Sequence, residues 1–133
     1  ESIVVMDDRS AKSPILKKIL LGAAPSGVKV LVWNVAEAAE KWKAQEFPKN
    51  NLLILFKNTS QAKAAWEAGV KFPSLQVGGI EGSGDKKNIY KNVVMSKTEA
   101  EELNVLHQGG VDIFMQPIPE DNPYPFKDAL AKF

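Results

Sequence analysis

Two residue types that often carry chemistry are almost missing from this chain. Among its 133 residues there is no cysteine, and there is one histidine. The missing cysteines exclude disulfide bonds, thiolate metal sites and cysteine nucleophiles. A single histidine excludes a metal site built from several imidazoles, although carboxylate and carbonyl oxygens could still form an all-oxygen cation site.

The chain also lacks an excess of charge of either sign. Lysine and arginine total 17, aspartate and glutamate total 16, and the cations form no obvious stripe along the sequence. A nucleic-acid-binding domain usually carries such a basic stripe. We therefore expect no nucleic-acid partner.

Long hydrophobic runs are absent as well. No apolar run approaches the roughly 20 residues that cross a membrane, and the N-terminal residues lack the basic and apolar regions of a signal peptide. Hydrophobic residues still make up 44% of the sequence, which is enough for one core. We expect a single cytoplasmic domain that spans residues 1–133.

The sequence does contain a regular alternation of strand-like and helix-like segments. Short apolar runs predict strands, and apolar residues at helical spacing follow capping residues between them. The predicted strands cover residues 2–6, 28–33, 52–56, 74–77, 93–95 and 111–115. The pattern predicts an α/β fold with three layers, in which helices cover both faces of a mostly parallel central sheet.

The most apolar of these segments is Leu52–Phe56, five hydrophobic residues in a row. Such a run predicts a strand that is buried on both faces. The polar residues Lys57, Asn58 and Thr59 follow it directly, and a helix is expected over residues 60–68 with Gly69 at its C-terminal end. A buried strand that delivers a polar loop to a helix start is a common way to build a binding site.

Polar or glycine-containing loops follow two other predicted strands. Asp7 and Asp8 could hold a cation, orient a histidine or act as an acid/base pair, or they could be ordinary loop carboxylates near a helix start. Gly78 and Gly79 could let a backbone approach a ligand closely, or they could simply permit a turn.

The loop of residues 57–59 has a phosphate-binding interpretation. The ammonium group of Lys57, the hydroxyl of Thr59 and backbone N–H groups at a helix N-terminus could hold a phosphoryl group. The alternative is the ordinary connection between a strand and a helix that every α/β protein contains.

The single histidine, His107, is predicted to lie in the last turn of a helix that begins with the capping box Ser96–Glu99. A histidine there interacts favourably with the helix dipole and needs no other role. That helix runs back towards the amino ends of the strands, so we do not assign His107 to catalysis.

Taken in order, several segments resemble one family, the IIB component of the mannose/fructose/sorbose class of the bacterial sugar phosphotransferase system. The resemblance covers nearly the whole chain and depends on the joint order of its motifs. The segments that carry it are Ile3-Val4-Val5-Met6-Asp7-Asp8, Ala24-Pro25-Ser26-Gly27-Val28, Leu55-Phe56-Lys57-Asn58-Thr59, Glu67-Ala68-Gly69-Val70, Val77-Gly78-Gly79, and Lys86-Lys87 with Asn92.

One large departure accompanies this resemblance. Family members carry, on their first strand, an Arg-x-Asp-x-Arg-x-x-His-Gly loop whose histidine accepts phosphate from the IIA component and passes it to sugar entering through the membrane IIC/IID complex. This sequence has no such loop and begins where the family's second strand would begin. Either it is the retained part of a longer protein, or it is a shortened member that no longer transfers phosphate. We favour the first explanation, because losing a strand from inside a sheet would leave backbone groups unpaired.

The resemblance implies a phosphocarrier that works with a IIA component, a IIC/IID permease and a sugar, without a cofactor or metal. It implies that the accepting histidine lies upstream of Glu1 and that the protein sits at the inner face of the membrane through its permease. Surrounding residues would order the histidine loop, hold the phosphoryl group or face the partner: Asp7, Asp8, Lys57, Asn58, Thr59, Gly78 and Gly79.

Two other functions remain open. A non-catalytic regulatory or binding module could retain the IIB fold without transferring phosphate. A flavodoxin-like receiver or nucleotide-binding domain could use Asp7 and Asp8 with Thr59 as an acidic pocket, although Leu52–Phe56 ends in Lys57 where a receiver has its phosphate-accepting aspartate.

Overall fold

Residues 2–49, 51–78, 86–91 and 93–133 are described by the structure, a computed structural model. Their contacts group into two units, Glu1–Lys71 and Phe72–Phe133. The first unit contains β1 (Ser2–Met6), α1 (Asp8–Lys12), α2 (Pro14–Gly22), β2 (Lys29–Trp33), α3 (Val35–Lys43), β3 (Leu52–Phe56) and α4 (Thr59–Glu67).

The three strands of the first unit form a parallel sheet in the order β2-β1-β3. All five residues of β1 pair with β2 and with β3, so that Met6 lies opposite both Trp33 and Phe56. The pairing is in register at the carboxyl ends. The loops that follow the three strands therefore leave the sheet at one edge.

Helices cover both faces of this sheet. The chain crosses from β1 to β2 through α1 and α2, and it crosses back past β1 to β3 through α3. Because such crossovers are almost always right-handed, opposite directions of travel place α2 and α3 on opposite faces. Helices α3 and α4 pack together, and α4 also packs on β3. The α/β class and the parallel pairing predicted from the sequence are confirmed.

Three helices of the first unit begin at side-chain caps. Side-chain oxygens of Ser13, Asn34 and Asn58 accept hydrogen bonds from backbone N–H groups three residues further on, at 3.3, 2.7 and 2.9 Å. Helix α4 begins at Thr59, one residue earlier than predicted, because Asn58 provides the cap. Gly69 follows this helix with a φ of +115°, a conformation that favours glycine.

The prediction that Leu52–Phe56 is buried on both faces is wrong. Leu53 and Leu55 are 54% and 42% exposed, whereas Val4 and Met6 on the neighbouring strand are fully buried. Among the described residues β3 lies at the end of its sheet, and Leu53 and Leu55 both lie on its less covered face. The apolar run predicted a strand correctly, but it did not predict where that strand lies in the sheet.

The second unit contains both parallel and antiparallel strand pairs. It contains β4 (Ser74–Val77), β5 (Lys87–Tyr90), β6 (Val93–Met95), α5 (Lys97–Gln108), β7 (Asp112–Met115), β8 (Tyr124–Pro125) and α6 (Phe126–Leu130). Strands β4 and β7 are parallel, and β8 pairs antiparallel with β7. Strands β5 and β6 form an antiparallel pair. The strand predicted over residues 93–95 is β6, whereas β5 was not predicted.

Helix α5 has the predicted capping box. Glu99 N donates to Ser96 Oγ at 3.1 Å, and Ser96 N donates to Glu99 Oε1 at 2.9 Å. The helix buries Ala100, Leu103 and Leu106 completely or nearly so. These three side chains form the apolar face of the helix.

The proline-rich tail is held by side chains as well as by backbone pairing. Gln116 Nε2 donates to the carbonyl oxygens of Pro119 and Asp121 at 3.2 and 2.9 Å. The Asp121 carboxylate accepts a hydrogen bond from Lys91 Nζ, and this bond raises the pKa of Lys91 above its ordinary value. An irregular segment is thus fixed without a helix.

No helix in the described ranges combines the length and the apolar character needed to cross a membrane.

Helix α5 allows a direct test of this packing. Replacing Leu106, which is fully buried, by alanine should lower the free energy of unfolding by about 2–5 kcal/mol, because it removes core contacts and leaves a cavity. The matched control is Val105→Ala on the same helix, at a side chain 38% exposed, where a change of about 0.5 kcal/mol is expected. Urea denaturation measures both, and equal losses would contradict the orientation of α5.

Candidate functional site

Asp7 directly follows the last residue of β1, and its side chain caps the helix that begins there. Its side chain is buried, and Oδ2 accepts hydrogen bonds from Ser10 N at 3.2 Å and from Ser10 Oγ at 2.6 Å. Its backbone N–H donates to Trp33 O at 3.1 Å, continuing the sheet. Asp7 is therefore the N-cap of α1 and stabilises the loop in which Asp8 stands.

Asp8 connects this loop to the ends of the other two strands. Its Oδ1 accepts from the N–H of Val35, the first residue of α3, at 2.8 Å. Its own N–H donates to Oε1 of Gln61 on α4 at 3.1 Å. A carboxylate at the start of α3 is also favoured by the helix dipole. Within the described ranges, Asp8 Oδ2 accepts no hydrogen bond, so one oxygen of this half-buried side chain is not used locally.

Asn58 completes the connection from β3. Its Oδ1 accepts from Gln61 N, and Gln61 Oε1 in turn accepts from Asp8 N. The two predicted loops are therefore joined through one glutamine. We call the carboxyl edge formed by Asp7, Asp8, Asn58 and Gln61 the strand-end cluster.

The neighbours of Asn58 differ in exposure. Lys57 is exposed and makes no ion pair with any residue that the structure describes, whereas Thr59 is buried at the first position of α4. Helix α4 starts directly after the cluster, so its N-terminus and the Lys57 ammonium group offer positive charge at this edge. Such an arrangement favours an anion.

Gly78 and Gly79 are not part of the strand-end cluster. Gly78 follows β4 in the second unit and is exposed, and a Cβ atom built there would meet nothing within 4 Å. Among the described residues, no atom would collide with a side chain at this position, so steric crowding does not explain the glycine. Gly79 lies outside the described residues.

His107 lies where the sequence placed it, in the last turn of α5. Its ring contacts Phe126 edge-on, with 5.4 Å between centroids. The turn that follows leads into Asp112, the first residue of β7. His107 thus belongs to the amino end of that strand, and its contact is with the hydrophobic core of the second unit.

Gln61 is the functional candidate that sequence reasoning missed. The signal was available: Asn58 followed three residues later by glutamine has the spacing of a capping box. In a capping box the third residue reaches back to its own cap, but here Gln61 reaches to Asp8. Only the fold reveals that second partner. No group of three or more His, Asp or Glu side chains that could hold a metal ion occurs in the described part of the chain.

Comparison with known proteins gives the same family as the sequence motifs. A family model described as the PTS system sorbose subfamily IIB component matches residues 1–133. The PTS system fructose-specific EIIB component of Bacillus subtilis (strain 168) is 26% identical over 130 residues, covering 98% of this chain and 80% of that protein. The PTS system mannose-specific EIIAB component of Escherichia coli (strain K12) is 25% identical over 130 residues, and the match covers 98% of this chain but 40% of that protein.

Solved structures agree in fold. The IIBSor domain of the sorbose permease from Klebsiella pneumoniae superposes with a TM-score of 0.88 at 21% identity, covering 98% of this chain and 80% of that one. The manxB structure from Thermoanaerobacter tengcongensis gives a TM-score of 0.86 at 30% identity, covering 99% and 80%. With the family model matching from end to end, the chain belongs to the sorbose subfamily of IIB components of the sugar phosphotransferase system.

Proposed function

We propose that this chain is part of a phosphocarrier that takes phosphate from a IIA phosphohistidine and passes it to a sugar, using a histidine that lies upstream of Glu1. The observation that carries the proposal is the strand-end cluster, in which the loops after β1 and β3 meet beside an exposed lysine. Family membership supplies the reaction class. The cluster supplies a place for the phosphoryl group.

Each group of the cluster has a proposed role. Asp8 Oδ2 accepts a hydrogen bond from an arginine or histidine of the upstream loop, while Oδ1 keeps the carboxylate fixed against Val35 N. Lys57, Asn58 and Thr59 face the phosphoryl group or the donor protein. Asp7 acts indirectly by capping α1.

The partners follow from the same role. The donor is a IIA component, and the acceptor is a sugar bound by a IIC/IID permease, so the chain works at the inner face of the membrane. Relatives are named for fructose, mannose, sorbose and N-acetylgalactosamine. We propose a sugar substrate on this basis.

A second candidate is a non-catalytic module that keeps the IIB fold and a docking surface for the IIA component or the membrane complex. It is favoured by one observation: the single histidine of these 133 residues packs on Phe126 in the second unit. Transfer assays separate the two candidates.

The first prediction concerns where phosphate is accepted. Residues 1–133 alone, incubated with phosphorylated IIA, should acquire no acid-labile phosphate, because no suitable histidine is present. The same domain carrying its native upstream sequence should be phosphorylated. Radiolabel transfer with acid and hydroxylamine treatment measures both.

His107→Ala provides the control in the longer protein. Transfer should be unchanged, because His107 lies in the last turn of α5. Phosphate on His107 would contradict the proposal, and so would failure of the longer protein to accept phosphate, which would favour the non-catalytic module.

A second prediction tests Asp8. In the longer protein, Asp8→Asn keeps an oxygen for Val35 N but removes the charge that orients the upstream loop. We expect the transfer rate to fall at least about tenfold, equivalent to about 1.4 kcal/mol in the barrier. Rapid-quench kinetics would measure the rate.

The matched variant for Asp8→Asn is Asp112→Asn, which neutralises an exposed carboxylate at the start of β7. Its transfer rate should equal that of the unmodified protein. Equal losses in the two variants would show that net charge, rather than the position of Asp8, controls transfer.

A further inference from the structure

The side-chain amide of Gln61 is held in one orientation by its neighbours. Its Oε1 accepts from the backbone N–H of Asp8 at 3.1 Å, across 53 positions of sequence, and its own backbone N–H donates to Asn58 Oδ1 at 2.9 Å. Only the oxygen of a side-chain amide can accept a hydrogen bond from an N–H group. The contact therefore fixes Oε1 towards Asp8 and leaves the NH2 group as the other end of the amide.

The NH2 group of Gln61 has no protein partner in the ranges that the structure describes. A glutamine amide carries two N–H donors, and neither of them donates to a described residue. The side chain is half-buried, so it is not simply dissolved in water. Half-buried donors of this kind are completed by ordered water or by a ligand.

The surroundings of this NH2 group favour an anion. Nε2 and Oε1 are bonded to the same carbon atom, so the two donors lie at the same sheet edge as Asp8. Lys57 is exposed near this edge and makes no ion pair with a described residue. The Asp8 carboxylate repels an anion, so directed donors are needed to hold one beside it. Oxygens of a phosphoryl group accept hydrogen bonds from both ammonium and amide donors.

The first turn of α4 differs from the first turns of α3 and α5. Those two helices carry a glutamate three residues after the capping residue, Glu37 and Glu99, where the helix dipole favours negative charge. Helix α4 carries Gln61 at the equivalent position and has no acidic residue in its first turn. A capping box accepts either glutamate or glutamine there. The neutral residue leaves the positive end of α4 without a carboxylate from its own first turn.

Repulsion from the Asp8 carboxylate also disfavours a glutamate at position 61. This reason involves Oε1 alone and gives the NH2 group of Gln61 no role. A ligand contact, in contrast, depends on the NH2 group. The two reasons therefore predict different effects on anion binding, and a neutral substitution that removes the donors distinguishes them.

We propose that Gln61 is a further binding residue of the site, and that its Nε2 donates a hydrogen bond to an oxygen of the transferred phosphoryl group. The inference rests on the proposed function for the identity of that group. The Asp8 N–H orients the amide through Oε1, Lys57 supplies positive charge, and Nε2 supplies a directed donor. Gln61 thus has two tasks, because it joins the two loops with one end of its amide and binds the ligand with the other.

The first measurement uses residues 1–133, with inorganic phosphate as the probe of the phosphoryl group. In proton–nitrogen NMR spectra, the two side-chain N–H signals of Gln61 should shift along a saturating curve as phosphate is added, and the backbone signal of Asp8 should follow the same curve. Sodium chloride at equal ionic strength is the reference, because it screens charges but offers no oxygen acceptors.

Gln61→Glu distinguishes the two ends of the side chain. It keeps an oxygen for the Asp8 N–H but removes both donors and adds a charge, so phosphate affinity should fall at least about tenfold. Hydrogen exchange of the Asp8 amide should stay within about twofold of the unmodified protein, because its acceptor is retained.

Gln45→Glu is the matched control for the added charge. Gln45 is exposed and follows the C-terminal end of α3, away from the sheet edge at which that helix begins. Phosphate affinity should change by less than about twofold in this variant, since an exposed charge at a distance is screened by salt.

Gln61→Met removes the donors without adding a charge. Methionine is a good helix former of similar length, and phosphate affinity should again fall at least about tenfold. Here the Asp8 amide should exchange faster, because its acceptor is lost. If this variant does not fold, the titration of the unmodified protein and Gln61→Glu decide the question.

Three results would overturn the inference. They are Gln61 side-chain signals that shift no more with phosphate than with sodium chloride, equal losses of affinity in Gln61→Glu and Gln45→Glu, and unchanged affinity in Gln61→Met. The last result would assign the glutamine to avoidance of repulsion from Asp8. Because the titrations need neither a histidine nor a IIA component, failed phosphotransfer with a responsive Gln61 amide would count against the proposed function alone.

Discussion

The in-register pairing of β1 with β2 and β3 determines where the polar groups of the first unit lie. Five consecutive residues of β1 pair on both sides, so all three strands end at the same level. That alignment brings Asp8 within hydrogen-bonding distance of Val35 N and of Gln61. A shift of one register position would separate these partners and would also turn Val4 and Met6 away from the buried face of the sheet. The candidate site therefore depends on the sheet more than on any one of its side chains.

The strand-end cluster leaves particular atoms available. Asp7 Oδ2 accepts both capping hydrogen bonds from Ser10, and the Gln61 side chain joins two loops. Among the described residues, neither Asp8 Oδ2 nor the Lys57 ammonium group makes a hydrogen bond or an ion pair. One carboxylate oxygen and one cation near a helix start can orient a cationic loop and hold an anion at the same time. This complementarity is what a phosphocarrier needs around its histidine.

Much of the fold was accessible from the sequence because local chemistry specified it. The caps at Ser13, Asn34 and Ser96 have side chains that bond the helix start whatever lies beyond. The exposure of Leu53 and Leu55 was not accessible, since an apolar run has the same composition at an edge as in the interior. The role of Gln61 was hidden for a related reason: its partner Asp8 lies 53 positions away in the sequence. The capping predictions held because they depend on neighbouring residues, whereas the exposure of one face of β3 and the second partner of Gln61 depend on long-range contacts.

The proposed function requires an accepting histidine outside residues 1–133. That histidine would work beside the strand-end cluster. The most direct measurement is the intact mass of the protein purified from its native cells, combined with sequencing of its N-terminus. The account predicts a mass well above the 14.6 kDa of residues 1–133, with a histidine in the added sequence. A native mass of 14.6 kDa would contradict it.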